Sequence, residues 1–170
     1  MTSPLPTSVP SDGTLRIDFV PTLADPAAPK VTELSAVGVQ SLDVYITGDG
    51  WAPGGDQAVT ADSRIASTQD FEQPGRKTKT LNVTYVHNPD DPTNNEAYLT
   101  LAEGVTGYIV ARYGVPRAQA YAAGDLVDVW PITAGEPMKQ WNGANSVHTA
   151  AQKLFVTNQV QTDVAVVAGP

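Results

Sequence analysis

The chain has 170 residues, 41% of them hydrophobic, which is enough for one domain with one core. A formal net charge of −8 argues against affinity for nucleic acid or an anionic membrane, where attraction to phosphate dominates. The absence of cysteine excludes disulfides, thiolate metal sites and a cysteine nucleophile, while 14 Gly and 14 Pro with only 16% charged residues point to a turn-rich β protein.

Residues 1–14 are rich in Pro and Ser and read as a flexible N-terminal arm. They lack a basic stretch followed by an apolar one, so no secretion signal is expected, and synthesis and assembly are placed in a cytoplasm. No apolar run approaches the ~20 residues that span a bilayer, so no membrane anchor is expected. Residues 15–170 are expected to form a single β domain.

The first strand is expected at Leu15–Val20, followed by an irregular connection with three prolines and one helical turn at Thr32–Leu34. Gln40–Thr47 reads as a strand with Leu42, Val44 and Ile46 inward and Ser41, Asp43, Tyr45 and Thr47 outward. Gly48–Gly55 opens a glycine-rich loop reaching as far as Asp62. Arg64–Phe71 resumes as a strand, and Gln73-Pro74-Gly75 reads as a turn. Beyond it Leu81, Val83 and Tyr85 fall on one side of an extended segment, and Thr78, Thr80, Asn82 and Thr84 on the other. A turn cluster at Asn88–Pro92 stops that strand.

Asn94–Glu103 is the best helix, capped by Asn94 or Asn95 and stopped by Gly104. Strands follow at Thr106–Tyr113 and Leu126–Thr133, where Pro131 suggests an edge or a bulge. Val147–Gln161 reads as a long extended segment, with Asp163–Val167 as its continuation or a last short strand. Seven or eight strands and one helix make a mainly β fold, a sandwich or barrel with a flanking α-helix and a long extended loop.

No catalytic motif is visible. His87 and His148 sit in no metal-ligating spacing, and Asp90-Asp91 between two prolines reads as a turn. The chain contains no GxSxG, no Walker loop and no GxGxxG. No cofactor is implied, and the protein is not expected to be an enzyme. Arg76-Lys77-Thr78-Lys79 is the one basic cluster, and without adjacent aromatics it suits a partner contact better than nucleic acid. Its candidate opposites on a neighbouring copy are Asp70, Glu72, Asp43, Asp125 and Asp128. Trp51, alone among glycines, is either an interface anchor or a residue buried when its loop folds back.

In order along the chain, LADPAAP, VTELSAVG, LDVYITGDGWAP, STQDFEQPGRKTKTLNVTYVHNPDDP, LAEGVTGYIVARYGVP, YAAGDLVDVWPITAGE and AQKLFVTNQVQTDVAV resemble the major tail tube proteins of long-tailed bacteriophages that infect actinobacteria. The resemblance is cumulative and runs from Phe19 to Val167. It implies a β-sandwich-like subunit of a hexameric ring. The rings stack into the hollow tail of the virion, through which DNA passes without specific binding. It also implies a tape measure protein inside the tube and tail terminator and distal tail proteins as partners. Within that frame Trp51, Ala52 and Pro53 are the expected inter-ring contact, and Arg76, Lys77 and Lys79 with Asp70 and Glu72 the expected inter-subunit charge pairs. Either the row Thr78, Thr80, Asn82, Thr84 or the outward row of Asp43 faces the lumen. The competing reading is a carbohydrate-binding or adhesion β-sandwich, with Trp51, Trp141 and Tyr113 as stacking platforms.

Overall fold

Alternating side chains generate most of the strands, and long-range pairing then sorts them into one antiparallel sheet. The computed structural model describes residues 5–169, so the expected arm falls partly outside it, at residues 1–4. The elements are β1 (Leu15–Val20), α1 (Val31–Leu34), β2 (Gln40–Ser41), β3 (Ile46–Asp62), β4 (Phe71–Val86), α2 (Glu96–Thr100), β5 (Thr106–Tyr113), β6 (Leu126–Ala134), β7 (Met138–Gln140), β8 (Thr149–Val156) and β9 (Gln161–Ala165). Strand order is β2-β1-β5-β6-β8-β4-β3, with β7 on β8 and β9 on β6.

The sheet curls so that β1, β5 and β6 face β8 and β4. Ile17, Ile109, Trp130, Ile132, Leu154, Leu81 and Tyr85 meet in the main core between them. A second apolar cluster, with Val20, Leu34, Val110, Tyr121, Val129 and Val166, covers the opposite face of β1, β5 and β6. These strands are therefore buried on both faces, which is why TGYIVARY does not alternate.

The expected glycine-rich loop is instead most of β3. It pairs with β4 from Trp51↔Val83 to Asp62↔Phe71. Its glycines serve close approach between strands and not an irregular path. A Cβ on Gly50 would overlap the carbonyl oxygen of Thr84, and one on Gly55 would stand 2.6 Å from that of Thr78. The expected turn at Gln73-Pro74-Gly75 lies inside β4, beside a register shift between Gln57 and Val59. The reversal occurs at residues 63–70, so the strand expected at Arg64–Phe71 is the hairpin connection.

Gln40–Thr47 is not one strand. The backbone N–H groups of Leu42 and Asp43 both donate to Ile17 O, and those of Tyr45 and Ile46 both donate to Leu42 O, which turns the chain. Leu42 stays buried, while Val44 is exposed and Tyr45 half-buried.

The expected ten-residue helix shrinks to a 3-10 turn at Pro92–Asn94 and the five-residue α2. Asn95 cannot cap it, because its Oδ1 accepts from Asn88 N and His87 Nδ1. Pro131 sits within β6, where the strand changes neighbour from β9 (ending at Val129) to β8 (beginning at Ile132). Its carbonyl accepts from Thr157 N on that side, so the missing N–H leaves the ladder to β5 intact.

Candidate assembly surface

The two strands of the β3–β4 hairpin, 17 and 16 residues, are the longest in the sheet. β8 pairs with β4 only from Leu81 to Val86, so among the described residues β3 is the sole strand neighbour of residues 71–80. β3 is itself an edge strand along its whole length. Ten residues at about 3.4 Å each carry this arm some 30 Å past the last β8 contact. Two rows of backbone donors and acceptors are thereby left open for pairing, one on each side of the arm.

Charge divides between arm and body. Residues 53–80 hold Arg64, Arg76, Lys77 and Lys79 against Asp56, Asp62, Asp70 and Glu72, so the arm is neutral and the full −8 rests on the remainder. Arg76, Lys77 and Lys79 are exposed and enter no ion pair among the described residues. Lys79 Nζ lies 6.0 Å from the Trp130 ring centroid. Lys77 and Lys79 also border a cleft of about 620 Å³ shared with Asn158, Gln159 and Thr162. Asp70 lies in the hairpin connection and Glu72 opposes Ala61, both apart from the basic cluster.

Trp51 stands at the root of the arm. Its indole Nε1 donates to the Tyr113 hydroxyl at 2.8 Å, and the ring packs half-buried against the main core. Burial pushes the Tyr113 hydroxyl above its ordinary range. Trp51, Tyr113, Ile17 and Ile46 line a cleft of about 570 Å³ between β1 and β3. Ala52 and Pro53 are exposed on the edge strand. Along β4 the side chains of Leu81, Val83 and Tyr85 enter the core, and Thr78, Thr80, Asn82 and Thr84 form the opposite, hydroxyl-rich face. Asp43 belongs to no such row. Its carboxylate is covered and forms an ion pair with Arg117.

One cluster escaped the sequence reading. Asp18 and Arg112 are fully buried on the outer face of β1 and β5. Asp18 accepts from Arg16 Nε at 2.7 Å, Ser41 Oγ at 2.8 Å and Tyr121 OH at 2.8 Å. Arg112 donates to Asp125 at 2.8 Å and to the carbonyls of Pro116, Gln119 and Ala120. The guanidinium carbons of Arg16 and Arg112 lie 4.5 and 4.8 Å from the Tyr121 ring centroid. Burial first, and Asp18 second, push the Tyr121 hydroxyl well up. The network pins residues 116–125 over the sheet. Its only trace in the sequence is an Asp between Ile17 and Phe19 and an Arg ending an apolar run.

Among the described residues no group of three or more His, Asp or Glu side chains is placed to hold a metal ion. His87 is buried against Tyr98, and His148 lies against Trp141. The distinctive feature of the surface is the arm.

The sequence matches the family model described as phage tail tube protein over residues 2–169. No curated protein matches it. Among solved structures, a chain from the six-fold symmetrised cryo-EM structure of the anti-feeding prophage baseplate is similar at 8% identity. That alignment covers 95% of this chain and 98% of the other, with a TM-score of 0.49. With its family model matched over almost the full length, the chain belongs to the phage tail tube proteins and is a structural component of the virion tail.

Proposed function

We propose that six copies close into a ring, that rings stack into a hollow tube, and that the tube conducts the genome from capsid to an actinobacterial host. The observation that supports this reading is the projecting hairpin with both edges unpaired. A monomer that kept such an arm free would expose a template for uncontrolled pairing. Copies that add strands to one another satisfy those groups, and a rotation that closes yields a ring and no fibre.

In this assembly the face of Thr78, Thr80, Asn82 and Thr84 lines the bore. Short uncharged side chains there offer phosphate no cation to hold it, and the acidic bodies repel it over roughly a Debye length of 8–10 Å. The exposed cations Arg76, Lys77 and Lys79 meet Asp70 and Glu72 of the adjacent copy, and Trp51, Ala52 and Pro53 lie at the junction of rings. The tube forms in the host cytoplasm around a tape measure protein, between a tail terminator and distal tail proteins.

Negative-stain electron microscopy of the pure protein at rising concentration tests the reading. Tubes of one diameter with six-fold end views are expected. Protein that stays monomeric at every concentration, with its tail partners added, overturns it.

A further inference from the structure

The side chains of the arm do little to fix how β3 lies on β4. Residues 52–61 are all exposed, and Gly54 and Gly55 contribute no side chain. A glycine-rich strand with no buried face specifies its register weakly. At the root the ladder gives no firmer hold. Five steps along β3, from Ile46 to Trp51, oppose only two along β4, from Tyr85 to Val83. The slack at residues 47–50 can take up or release chain, and regular pairing resumes at Trp51↔Val83.

Trp51 is therefore the first residue of the continuous ladder, and it is tied to the body. Its ring packs half-buried on the main core, and its Nε1 donates to the hydroxyl of Tyr113, the last residue of β5, at 2.8 Å. Among the described residues this is the only hydrogen bond that joins residues 51–62 to any part of the chain outside the hairpin. Part of the Trp51 ring borders the open cleft of about 570 Å³, so packing alone does not confine it. The hydroxyl of Tyr113 supplies the directional restraint that packing lacks.

We propose that the Trp51–Tyr113 bond is the register lock of the arm, with Tyr113 as a positioning residue: it fixes which β4 residue each β3 residue faces. A slip of two residues keeps every side chain on its own face, so it leaves the monomer folded. It nevertheless moves the open edge of β3 by about 7 Å along the strand. The consequence for assembly rests on the tube reading. A neighbouring copy placed by contacts with the body then meets each side chain of the edge two residues out of place. The lock itself is a property of the single chain and can be judged without any tube.

The chain has no cysteine, so disulfide trapping reads the register directly. Asp56 faces Thr78, and a two-residue slip sets it against Arg76 or Thr80. Directly opposed residues lie within disulfide range, whereas diagonal ones stand about 7–8 Å apart and lie outside it. Oxidised as dilute monomer, Asp56→Cys with Thr78→Cys should close readily, and Asp56→Cys with Arg76→Cys or with Thr80→Cys slowly or not at all. Adding Tyr113→Phe, which deletes only the hydroxyl, should speed closure of at least one slipped pair several-fold. Slipped pairs that close no faster overturn the lock, and a lower Tm with that same result marks an ordinary structural bond. In a Trp51→Phe background Tyr113→Phe should add nothing; a further gain there assigns the hydroxyl another partner and overturns the proposal too. Tyr113→Phe should also raise the concentration at which tubes appear several-fold. A slipped register with an unmoved threshold overturns the claim that register governs assembly. A parent protein that forms no tubes overturns the tube reading and leaves the lock to the cross-links.

Discussion

At the scale of single residues, the most consequential group is Asp18. Its carboxylate is fully buried yet answers three donors, so it is a satisfied charge and not a strained one. Removing it takes the acceptor from the Ser41 and Tyr121 hydroxyls and the carboxylate partner from Arg16. Asp18→Ala should cost about 3–5 kcal/mol, the range for breaking one side of a buried pair, measurable by urea unfolding. A change under about 1 kcal/mol would mean that water replaces the carboxylate. Tyr121 adds a pH dependence. Its hydroxyl titrates higher in the folded chain than in the unfolded one, as does that of Tyr85 through burial. That stabilisation is whole below the unfolded tyrosine pKa near 10 and is lost as pH rises above it, by up to about 1.4 kcal/mol per pH unit for each such tyrosine. Tyr121→Phe should flatten the alkaline limb of a stability–pH curve while lowering stability at pH 7. An unchanged alkaline slope would exclude Tyr121 as its source.

At the scale of elements, the arm depends on glycines whose role is steric. Gly48 and Gly50 both belong to β3 and neither has positive φ. A Cβ on Gly48 meets nothing within 4 Å, whereas one on Gly50 collides with Thr84. Gly50→Ala should therefore cost about 1–3 kcal/mol, as overpacking does, and Gly48→Ala should stay within about 0.5 kcal/mol of neutral. Calorimetry of the two variants decides between this and a merely flexible segment, for which both would behave alike. The same element shows where local pattern misleads. GDGWAPGG has the composition of a loop, and only the opposing backbone of β4 makes glycine the right strand residue. Pro74-Gly75 has turn chemistry but lies at a register shift. Asn95 has the identity of a cap, but its side chain is spent on His87 and Asn88. By contrast β1 and β5 were legible to the residue, because their ends coincide with breaks in apolar content.

At the scale of the whole molecule, a neutral arm leaves a body that carries all the net charge. The arm's basic cluster is exposed and forms no ion pair among the described residues. Lys77→Glu with Lys79→Glu should accordingly leave the monomer Tm within a degree or two, while raising the concentration needed for assembly on the order of tenfold, equivalent to about 1.4 kcal/mol. Light scattering against concentration measures this. An unmoved threshold would place the cluster away from any contact between copies.

The amino-acid order alone determined the β class, the apolar face of β4, the strands at residues 15–20 and 106–113 and the family, because each follows from local alternation or from cumulative similarity along the chain. Tertiary structure decided that the glycine segment is a strand and that Asp18 and Arg112 are interior. Those facts depend on which distant backbone comes alongside, and pairing between segments 20 to 100 residues apart leaves no periodic mark in either of them.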